Sequence, residues 1–389
     1  MADKIVLFGA GATGRGHVGL LAWQAGFEMV FVDKKRDLVK ALQEAGWYKV
    51  KLYGGPRYRE INVTAYRVYY YEEREAIAQE VADAALVLTA VFDQNLPDVA
   101  KTLALAVTAC REAGRAVPLN CIACENMMDS SSTLGRHVRS HLSGKDLAYC
   151  EEYFGFPDCM ISRVVPQPKP DPLVIVTEDY NEWTARAEAF KGEKPAALTA
   201  LELVRNQTAR LERKLFIHNG GHAVCGYTAF HRGHEFIHEA VKDPLVLEHV
   251  GGALDELGEI VRAKWGFSAE SLDFYKQEFA RRGNIAELRD EVLRVVRQPI
   301  RKLSSRERLV APALEAEQYG LPRVWIVRGI VAALKYQHPD DPQSVELAHK
   351  LEQNGLEATL EEVCDIDRQS ALAQEIREAW ACWELGAES

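Results

Sequence analysis

The sequence predicts an α/β domain built around a parallel sheet, followed by a mainly α-helical domain. Three observations support this fold class. Short apolar runs alternate with helical patterns through the first half, a glycine-rich turn joins the first predicted strand to the first predicted helix, and strand-like runs become rare after residue 195. Such alternation is typical of β-α-β units around a parallel sheet. We therefore expect domains spanning residues 1–195 and 196–389.

Apolar runs of four to six residues define the predicted strands, and periodicity close to 3.6 defines the helices. The strands are Ile5–Phe8, Met29–Val32, Ala85–Thr89, Leu119–Ala123, Met160–Val165 and Leu173–Thr177. The clearest helices of the first domain are Arg15–Ala25 and Leu96–Ala113. Those of the second domain are Ala200–Ile217, Leu245–Trp265, Arg289–Val296, Arg306–Tyr319, Arg323–Tyr336 and Pro342–Gln353.

A strand that runs directly into the pattern GxGxxG and then into a helix predicts a dinucleotide site. We expect Gly9 to permit the tight turn, Gly11 to let the backbone approach a pyrophosphate, and Gly14 to allow close packing of helix and sheet. The helix N-terminus then offers free N–H groups to phosphates. The segment therefore indicates a Rossmann-like dinucleotide-binding domain. Its predicted cofactor-binding residues are Gly9, Ala10, Gly11, Ala12, Thr13 and Gly14.

Asp33 ends the second predicted strand, 19 residues after Gly14. A carboxylate at this position can accept hydrogen bonds from the adenosine ribose hydroxyls, and it would repel a 2′-phosphate. We therefore expect NAD rather than NADP as the cofactor. The next three residues, Lys34-Lys35-Arg36, leave NADP open, because one of these cations could neutralise the extra phosphate.

Composition and charge exclude several classes of protein. The net charge of −10 argues against a nucleic-acid-binding surface, which needs concentrated Lys and Arg. No apolar run approaches the roughly 20 residues that span a bilayer, and no signal-peptide pattern begins the chain. Cys121 and Cys124 form a CxxC pair that we expect to be buried free thiols. These features predict a cytoplasmic monomer or small homo-oligomer.

The segment from residue 211 to residue 224 combines side chains suited to alcohol oxidation. A base must take the hydroxyl proton as hydride leaves carbon, and Lys214 can do so if burial lowers its pKa towards about 7–8. The amide of Asn219 can donate to the substrate oxygen, and His222 can bond an adjacent hydroxyl. On an α-helix these three fall within an arc of about 140°. We expect the glycines at 220 and 221 to break the helix. Spacing alone does not distinguish a catalytic cluster from a solvated helix face, which stays an equal alternative.

Several long motifs occur in a fixed order along nearly the whole chain. They are the glycine motif ending at Asp33, PLNCIACENM at 118–127, ERKLFIHNGGHA at 212–223, RQPIRKLS at 297–304 and YGLP at 319–322. On these motifs the chain resembles the long-chain polyol-specific secondary alcohol dehydrogenases, the mannitol dehydrogenase family. The resemblance implies metal-independent hydride transfer between NAD(H) and a polyol or polyol phosphate, such as mannitol 1-phosphate and its product fructose 6-phosphate.

The resemblance also implies roles for individual residues. Lys214 corresponds to the general base, and Asn219 and Asn126 correspond to the amides that hold the reacting oxygen. His222 corresponds to a substrate ligand. We infer that Arg294 and Lys302 also contact the substrate. If the substrate carries a phosphate, Arg297 and Arg301 are expected to bind it. A solvated helix face remains an equal alternative for these late basic residues.

Three alternatives stay open at this point. Gly220 stands where related sequences usually carry Thr, so a free polyol or a hexuronate is a possible substrate class. His234, Glu235 and His238 form a formal HExxH pattern, which is typical of zinc hydrolases. A third alternative is an NAD-binding protein without turnover, although dinucleotide binding alone does not require Lys214 and its asparagines.

Overall fold

A computed structural model describes residues 3–166 and 171–383. The chain forms two compact units, Met1–Leu211 and Glu212–Ser389. The first unit carries a parallel sheet flanked by helices, and the second is mainly helical. The predicted fold class is therefore confirmed.

Each strand predicted for the first unit overlaps a strand of the structure, and further strands that the apolar pattern did not predict, such as Trp47–Tyr53, Arg59–Thr64 and Tyr66–Tyr70, lie between them. Its strands are β1 (Lys4–Phe8), β2 (Glu28–Asp33), β3 (Trp47–Tyr53), β4 (Arg59–Thr64), β5 (Tyr66–Tyr70), β6 (Leu86–Thr89), β7 (Leu119–Ala123), β8 (Phe154–Gly155), β9 (Cys159–Ser162), β10 (Val174–Glu178), β11 (Glu182–Arg186) and β12 (Glu202–Val204). Its helices are α1 (Gly19–Gln24), α2 (Arg36–Ala45), α3 (Arg74–Ala82), α4 (Leu96–Glu112), α5 (Ser130–Ser140) and α6 (Gly144–Tyr153). A π-helical turn, Gly14–Val18, leads into α1.

The main sheet has six strands in the order β5-β2-β1-β6-β7-β8, and every neighbouring pair is parallel. Alternate residues of β1 enter two different hydrophobic clusters, Ile5 and Leu7 on one face and Val6 and Phe8 on the other. Burial of both faces explains why these strands are continuous apolar runs. Since all strands run the same way, their carboxyl ends form one edge, which is where such sheets bind ligands.

Two smaller sheets accompany the main sheet in the first unit. One has the order β10-β3-β4 and the other has the order β12-β11-β9. The prediction of a strand over Met160–Val165 is partly correct, because β9 ends at Ser162 and pairs antiparallel with β11. The Pro-rich residues 167–170 that follow lie outside the described part of the chain.

The second unit is a helical assembly around one large apolar cluster. Its helices are α7 (Gln207–Arg213, crossing from the first unit), α8 (Gly221–His231), α9 (Ile237–Ala240), α10 (Pro244–Trp265), α11 (Ala269–Gly283), α12 (Val292–Val296), α13 (Pro299–Lys302), α14 (Val310–Tyr319), α15 (Val324–Leu334), α16 (Pro342–Cys364) and α17 (Ala371–Ala381). A second π-helical turn, Lys214–Gly220, joins α7 to α8.

The prediction of one helix over Ala200–Ile217 is wrong in its first part. Residues 202–204 form β12, which pairs with β11, and the helix begins only at Gln207. The side chain of Asn206 accepts a hydrogen bond from the Ala209 N–H at 3.2 Å, as a residue at a helix N-terminus does. Because residues 202–204 pair with β11 and Asn206 caps the helix, the helix begins at Gln207 instead of Ala200.

Candidate dinucleotide site and catalytic cluster

The glycine turn after β1 has the geometry that its sequence predicts. Gly9 has φ of 97°, and a Cβ there would collide with the Ala90 carbonyl oxygen. A Cβ at Gly14 would collide with the Gly9 carbonyl oxygen, so helix and strand approach too closely for a side chain. A Cβ at Gly11 would meet no heavy atom within 4 Å. The turn therefore leaves open space beside Gly11, where a bound pyrophosphate would lie.

Asp33 lies at the carboxyl end of β2 and is tied to this turn. Its Oδ2 accepts a hydrogen bond from the Ala10 N–H at 2.8 Å, and its Oδ1 accepts one from the Lys35 N–H at 2.8 Å. The carboxylate is only partly buried, so it keeps a surface that can meet ribose hydroxyls. Its position at the sheet edge fits the adenosine end of a dinucleotide.

Two of the three cations that follow Asp33 have acidic partners within the protein. The Lys34 ammonium donates to Asp98 Oδ2 at 2.8 Å. The Arg36 guanidinium lies 3.6 Å from a Glu72 oxygen and 5.3 Å from the centroid of the Tyr70 ring. Because these contacts compete with an added phosphate, they favour NAD over NADP.

Glu125, which the sequence analysis did not single out, is buried at the carboxyl end of β7. Its carboxylate accepts hydrogen bonds from the Thr89 hydroxyl at 2.8 Å and from the Val91 N–H at 2.9 Å. Burial, only partly offset by these bonds, raises the pKa of Glu125 to about 7. The contacts join the ends of β6 and β7, directly before the exposed Asn126. An acid two residues after a largely apolar strand was the signal that could have revealed it.

Lys214 and Asn219 lie at the beginning and near the end of the second π-helical turn. In a π-helix hydrogen bonds join residues five apart, so these two residues lie one turn from each other on one face. His222 follows three residues later in α8, on the same side of the continuing helix. Lys214 is partly buried and Asn219 is 9% exposed. An ideal α-helix would spread Lys214, Asn219 and His222 over an arc of about 140°, whereas the π-helical turn places them on a narrower face.

The expectation that Gly220 and Gly221 break the helix is wrong. Their φ and ψ angles are helical, −66° and −53° for Gly220 and −56° and −40° for Gly221. Both are buried against neighbouring elements: a Cβ would lie 2.8 Å from the Arg308 carbonyl oxygen at Gly220 and 2.7 Å from Leu254 at Gly221. These glycines therefore allow close packing rather than entry of a ligand.

His222 belongs to a short polar chain in the second unit. Its Nε2 lies 3.3 Å from Asp290 Oδ2, and Arg294 donates to Asp290 Oδ1 at 2.6 Å. Burial alone would raise the pKa of Asp290, but the hydrogen bond to His222 and the charge of Arg294 hold it well below its ordinary value. The structure thus brings together His222 and Arg294, two of the predicted substrate residues, through a carboxylate that the sequence analysis did not identify.

His218, one turn before His222, also lies in a strongly basic environment. Arg282 Nη2 lies 3.4 Å from His218 Nε2, and the rings of His218 and His222 are 5.8 Å apart. Burial, reinforced by the charge of Arg282, holds the pKa of His218 well below its ordinary value. Arg308 acts on His218 in the same direction. Both arginines are buried and distant in sequence, so periodicity could not have associated them with this turn.

Lys302 is buried on α13 and is held by backbone oxygens. Its Nζ donates to the Val295 carbonyl at 2.6 Å and to the Arg297 carbonyl. Burial, reinforced by the charge of Arg308 and Arg301, lowers the pKa of Lys302 to about 6. The alternative of a solvated helix face therefore does not describe Lys302, and Arg297 is exposed but lies between α12 and α13.

Arg301 and Arg308 share one carboxylate near Lys302. Arg301 Nη1 donates to Glu307 Oε1 at 2.9 Å, and Arg308 Nε donates to Glu307 Oε2 at 2.9 Å. One acid therefore faces two arginines, with Arg297 and Lys302 close by. The cluster carries an excess of basic groups, which suits an anionic ligand.

The HExxH pattern does not have the geometry of a zinc hydrolase. Such a site needs both histidines on one face of a helix, four residues apart. Here α9 begins at Ile237, Phe236 forms a β-bridge with Glu291, and His234 lies before both. His234 Nε2 lies 2.9 Å from Asp243 Oδ2. Among residues 3–166 and 171–383, no group of three or more His, Cys, Asp or Glu side chains is arranged to hold a metal ion.

The comparisons with known proteins agree with this geometry. The models of the mannitol dehydrogenase Rossmann domain and of the mannitol dehydrogenase C-terminal domain match residues 3–198 and 208–383. The chain belongs to the mannitol dehydrogenase family. A mannitol-1-phosphate 5-dehydrogenase of Brevibacillus brevis is 37% identical over 376 residues, which are 96% of each chain. The resemblance found in the sequence motifs is therefore confirmed.

Two solved structures share the fold of this chain. Pseudomonas fluorescens mannitol 2-dehydrogenase, in a ternary complex with NAD and D-mannitol, has a TM-score of 0.80 at 16% identity, covering 98% of this chain and 92% of that one. A substrate-free D-sorbitol dehydrogenase has a TM-score of 0.81 at 16% identity, covering 98% and 93%. In the described part of the chain, no helix combines the length and apolarity needed to cross a membrane.

Proposed function

We propose that this protein is an NAD-dependent polyol phosphate dehydrogenase that interconverts mannitol 1-phosphate and fructose 6-phosphate. The observation that carries the proposal is the π-helical turn with Lys214 at its start and Asn219 five residues later. A relative that is 37% identical over 96% of the chain bears the name mannitol-1-phosphate 5-dehydrogenase, which supports the substrate class. We also propose that the protein acts in the cytoplasm.

The residues around the glycine turn fit a dinucleotide. Gly11 borders open space, and the Asp33 carboxylate lies at the adjoining strand end. Bound NAD supplies the hydride acceptor for alcohol oxidation. The acidic partners of Lys34 and Arg36 are the reason that we propose NAD over NADP.

Lys214 takes the hydroxyl proton in the direction of oxidation and returns it in the direction of reduction. It must be a neutral amine to accept the proton, and a surrounding positive charge favours the neutral form. Arg282, whose Nη2 lies 3.4 Å from His218 Nε2, places such a charge beside the turn that begins at Lys214. Asn219 and Asn126 donate N–H groups to the oxygen as it gains negative charge. His222, oriented by Asp290, bonds a neighbouring hydroxyl.

We assign the phosphate of the substrate to the basic cluster around α13. Arg301 and Arg308 share a single carboxylate, Glu307, and Arg297 lies close by, so a bound phosphate dianion would compensate the remaining positive charge of these three arginines. A free polyol or a hexuronate would not use all of these groups. The substrate panel therefore consists of mannitol 1-phosphate, mannitol and an aldonate, each assayed with NAD and with NADP.

The variant Lys214→Ala tests the assignment of the base. We expect kcat to fall by about 10²–10⁴-fold, since a positioned general base contributes this much. The dissociation constant for NADH should stay within about twofold, and added ethylamine should restore part of the activity. The matched control is Lys242→Ala, an exposed lysine of the same unit. Near-normal turnover of Lys214→Ala would contradict the mechanism.

Arg297→Gln and Arg301→Gln test the phosphate assignment separately. We expect the KM for mannitol 1-phosphate to rise about tenfold in each variant, because each loses one charged hydrogen-bond donor. The much weaker activity with free mannitol should stay unchanged. Equal losses with both substrates would contradict the assignment of the phosphate to this cluster.

A further inference from the structure

Arg15 is a charged residue inside the first π-helical turn, and only 1% of its surface is exposed. Its Nε donates to the Ala10 carbonyl at 2.6 Å, and its Nη2 donates to the Pro172 carbonyl at 2.8 Å. The guanidinium carbon lies 5.2 Å from the centroid of the Tyr48 ring. A Cβ at the next residue, Gly16, would lie 2.6 Å from Ile175 Cγ2. The side chain is therefore held from several directions within the first unit.

The bond to Ala10 determines the direction of the next backbone amide. In a trans peptide the C=O of Ala10 and the N–H of Gly11 share one plane and point in opposite directions. Because the guanidinium holds the carbonyl inward, the Gly11 N–H is directed outward. The space beside Gly11 is open. An outward N–H in a glycine turn before a helix is a phosphate-binding group.

Arg15 and Asp33 hold the two sides of the same residue. Asp33 Oδ2 accepts from the Ala10 N–H at 2.8 Å, and Arg15 Nε donates to the Ala10 C=O. Both peptide groups of Ala10 are therefore fixed by charged side chains. Without either bond the Ala10–Gly11 peptide could rotate, and its N–H would lose its fixed direction.

We propose that Arg15 is a positioning residue for the pyrophosphate of the dinucleotide, which it serves without touching it. The inference rests on the proposed NAD-dependent function. Arg15 holds the Ala10 carbonyl so that the Gly11 N–H is already directed at a phosphate oxygen before the cofactor binds. The second bond, to Pro172, prevents the guanidinium from turning away. A lysine has the same charge but lacks the planar group that donates in two fixed directions.

Binding of ligands with and without a pyrophosphate tests this role. The dissociation constant of NADH is measured by fluorescence titration, and those of ADP and adenosine by displacement of NADH. For Arg15→Met we expect NADH and ADP to bind at least about tenfold more weakly, as for loss of one hydrogen bond to a charged group. Adenosine should bind within about twofold of the unaltered protein. In turnover, the KM for NAD should rise while the KM for the polyol phosphate stays unchanged.

Two further variants separate positioning from a general loss of structure. Arg15→Lys, the milder change, should fold normally and bind NADH with intermediate affinity. Arg115 also donates to backbone carbonyls of the first unit, those of Ala82 and Ala84, and Arg115→Met should lower Tm without weakening ADP binding. Unchanged ADP binding by both folded Arg15 variants, or equal losses for ADP and adenosine, would overturn the inference. Failure of the unaltered protein to bind NADH would instead contradict the proposed cofactor.

Discussion

His222 Nε2 and Asp290 Oδ2 lie 3.3 Å apart, and the other oxygen of the same carboxylate accepts from Arg294. In its neutral form the imidazole donates to this carboxylate from Nε2, which leaves Nδ1 as an acceptor. An imidazole fixed in this way can accept a hydrogen bond from a substrate hydroxyl. Two residues predicted to bind substrate thus depend on one buried acid.

The variant Asp290→Ala should weaken substrate binding while leaving the cofactor site intact. Without the carboxylate, the tautomer of His222 and the position of Arg294 are no longer fixed. We expect the KM for mannitol 1-phosphate to rise about 10- to 100-fold, equivalent to the loss of one or two charged hydrogen bonds. The dissociation constant of NADH should not change. Asp290→Asn, which keeps one acceptor oxygen, should show a smaller effect, and a larger effect in Asn than in Ala would contradict the explanation.

Lys302 should make stability depend on pH in a predictable direction. Burial, reinforced by neighbouring arginines, lowers the pKa of Lys302 to about 6, whereas an unfolded lysine has a pKa near 10.4. Between these values the unfolded chain binds one more proton, so the free energy of unfolding rises with pH, by at most about 1.4 kcal/mol per pH unit from this group. Below about pH 6 both states are protonated and this contribution to the slope disappears.

Urea unfolding at several pH values between 6 and 9 measures this effect. The variant Lys302→Met removes the titrating amine, so its free energy of unfolding should rise less steeply with pH than that of the unaltered protein. Lys145→Met, at an exposed position on α6, is the control and should leave the slope unchanged. Parallel curves for Lys302→Met and the unaltered protein would show that Lys302 is charged in the folded state.

Asp33 should govern the choice between NAD and NADP through its charge. Asp33→Asn keeps an oxygen that can accept from the Ala10 N–H and removes the repulsion of a 2′-phosphate. We expect the ratio of kcat/KM for NAD to that for NADP to fall about tenfold or more, mainly through improved use of NADP. Adding Asp98→Asn should lower the ratio further, because it releases the Lys34 ammonium. An unchanged ratio in the double variant would contradict this account.

The parts of the fold that local patterns encode could be predicted from the sequence. The buried strands β1, β2 and β6 contain continuous apolar runs, β7 is interrupted only by Asn120, and the glycine turn has a fixed spacing. The strand β3 escaped prediction because its alternating half-buried residues, Trp47–Tyr53, do not form such a run. The π-helical turn at Lys214 could not be inferred, since a period of 3.6 residues assumes α-helical bonding.

The partners of the candidate catalytic residues depend on tertiary structure. Asp290 reaches His222, and Arg282 reaches His218, from helices or loops more than 60 residues away in sequence. No local pattern marks such contacts. The resemblance supplied the residues expected to touch substrate, whereas the structure supplied the charged groups that orient them.

Gly220 provides a test of how closely the second π-helical turn packs against the Arg308 segment. A Cβ at Gly220 would lie 2.8 Å from the Arg308 carbonyl oxygen and 3.3 Å from Leu257 Cδ1. Gly220→Thr must therefore displace the backbone beside Arg308, and we expect a loss of about 1–3 kcal/mol in the free energy of unfolding. Gly251→Ala in α10 is the matched control: a Cβ there meets no heavy atom within 4 Å, so helix propensity should raise stability by about 0.5–1 kcal/mol.

Because Arg308 also contributes to the charge around His218, the displacement of the Arg308 segment in Gly220→Thr should lower kcat as well as Tm. A Gly220→Thr variant as stable and as active as the unaltered protein would mean that the Arg308 segment adjusts freely, and that the glycine is not required for this packing.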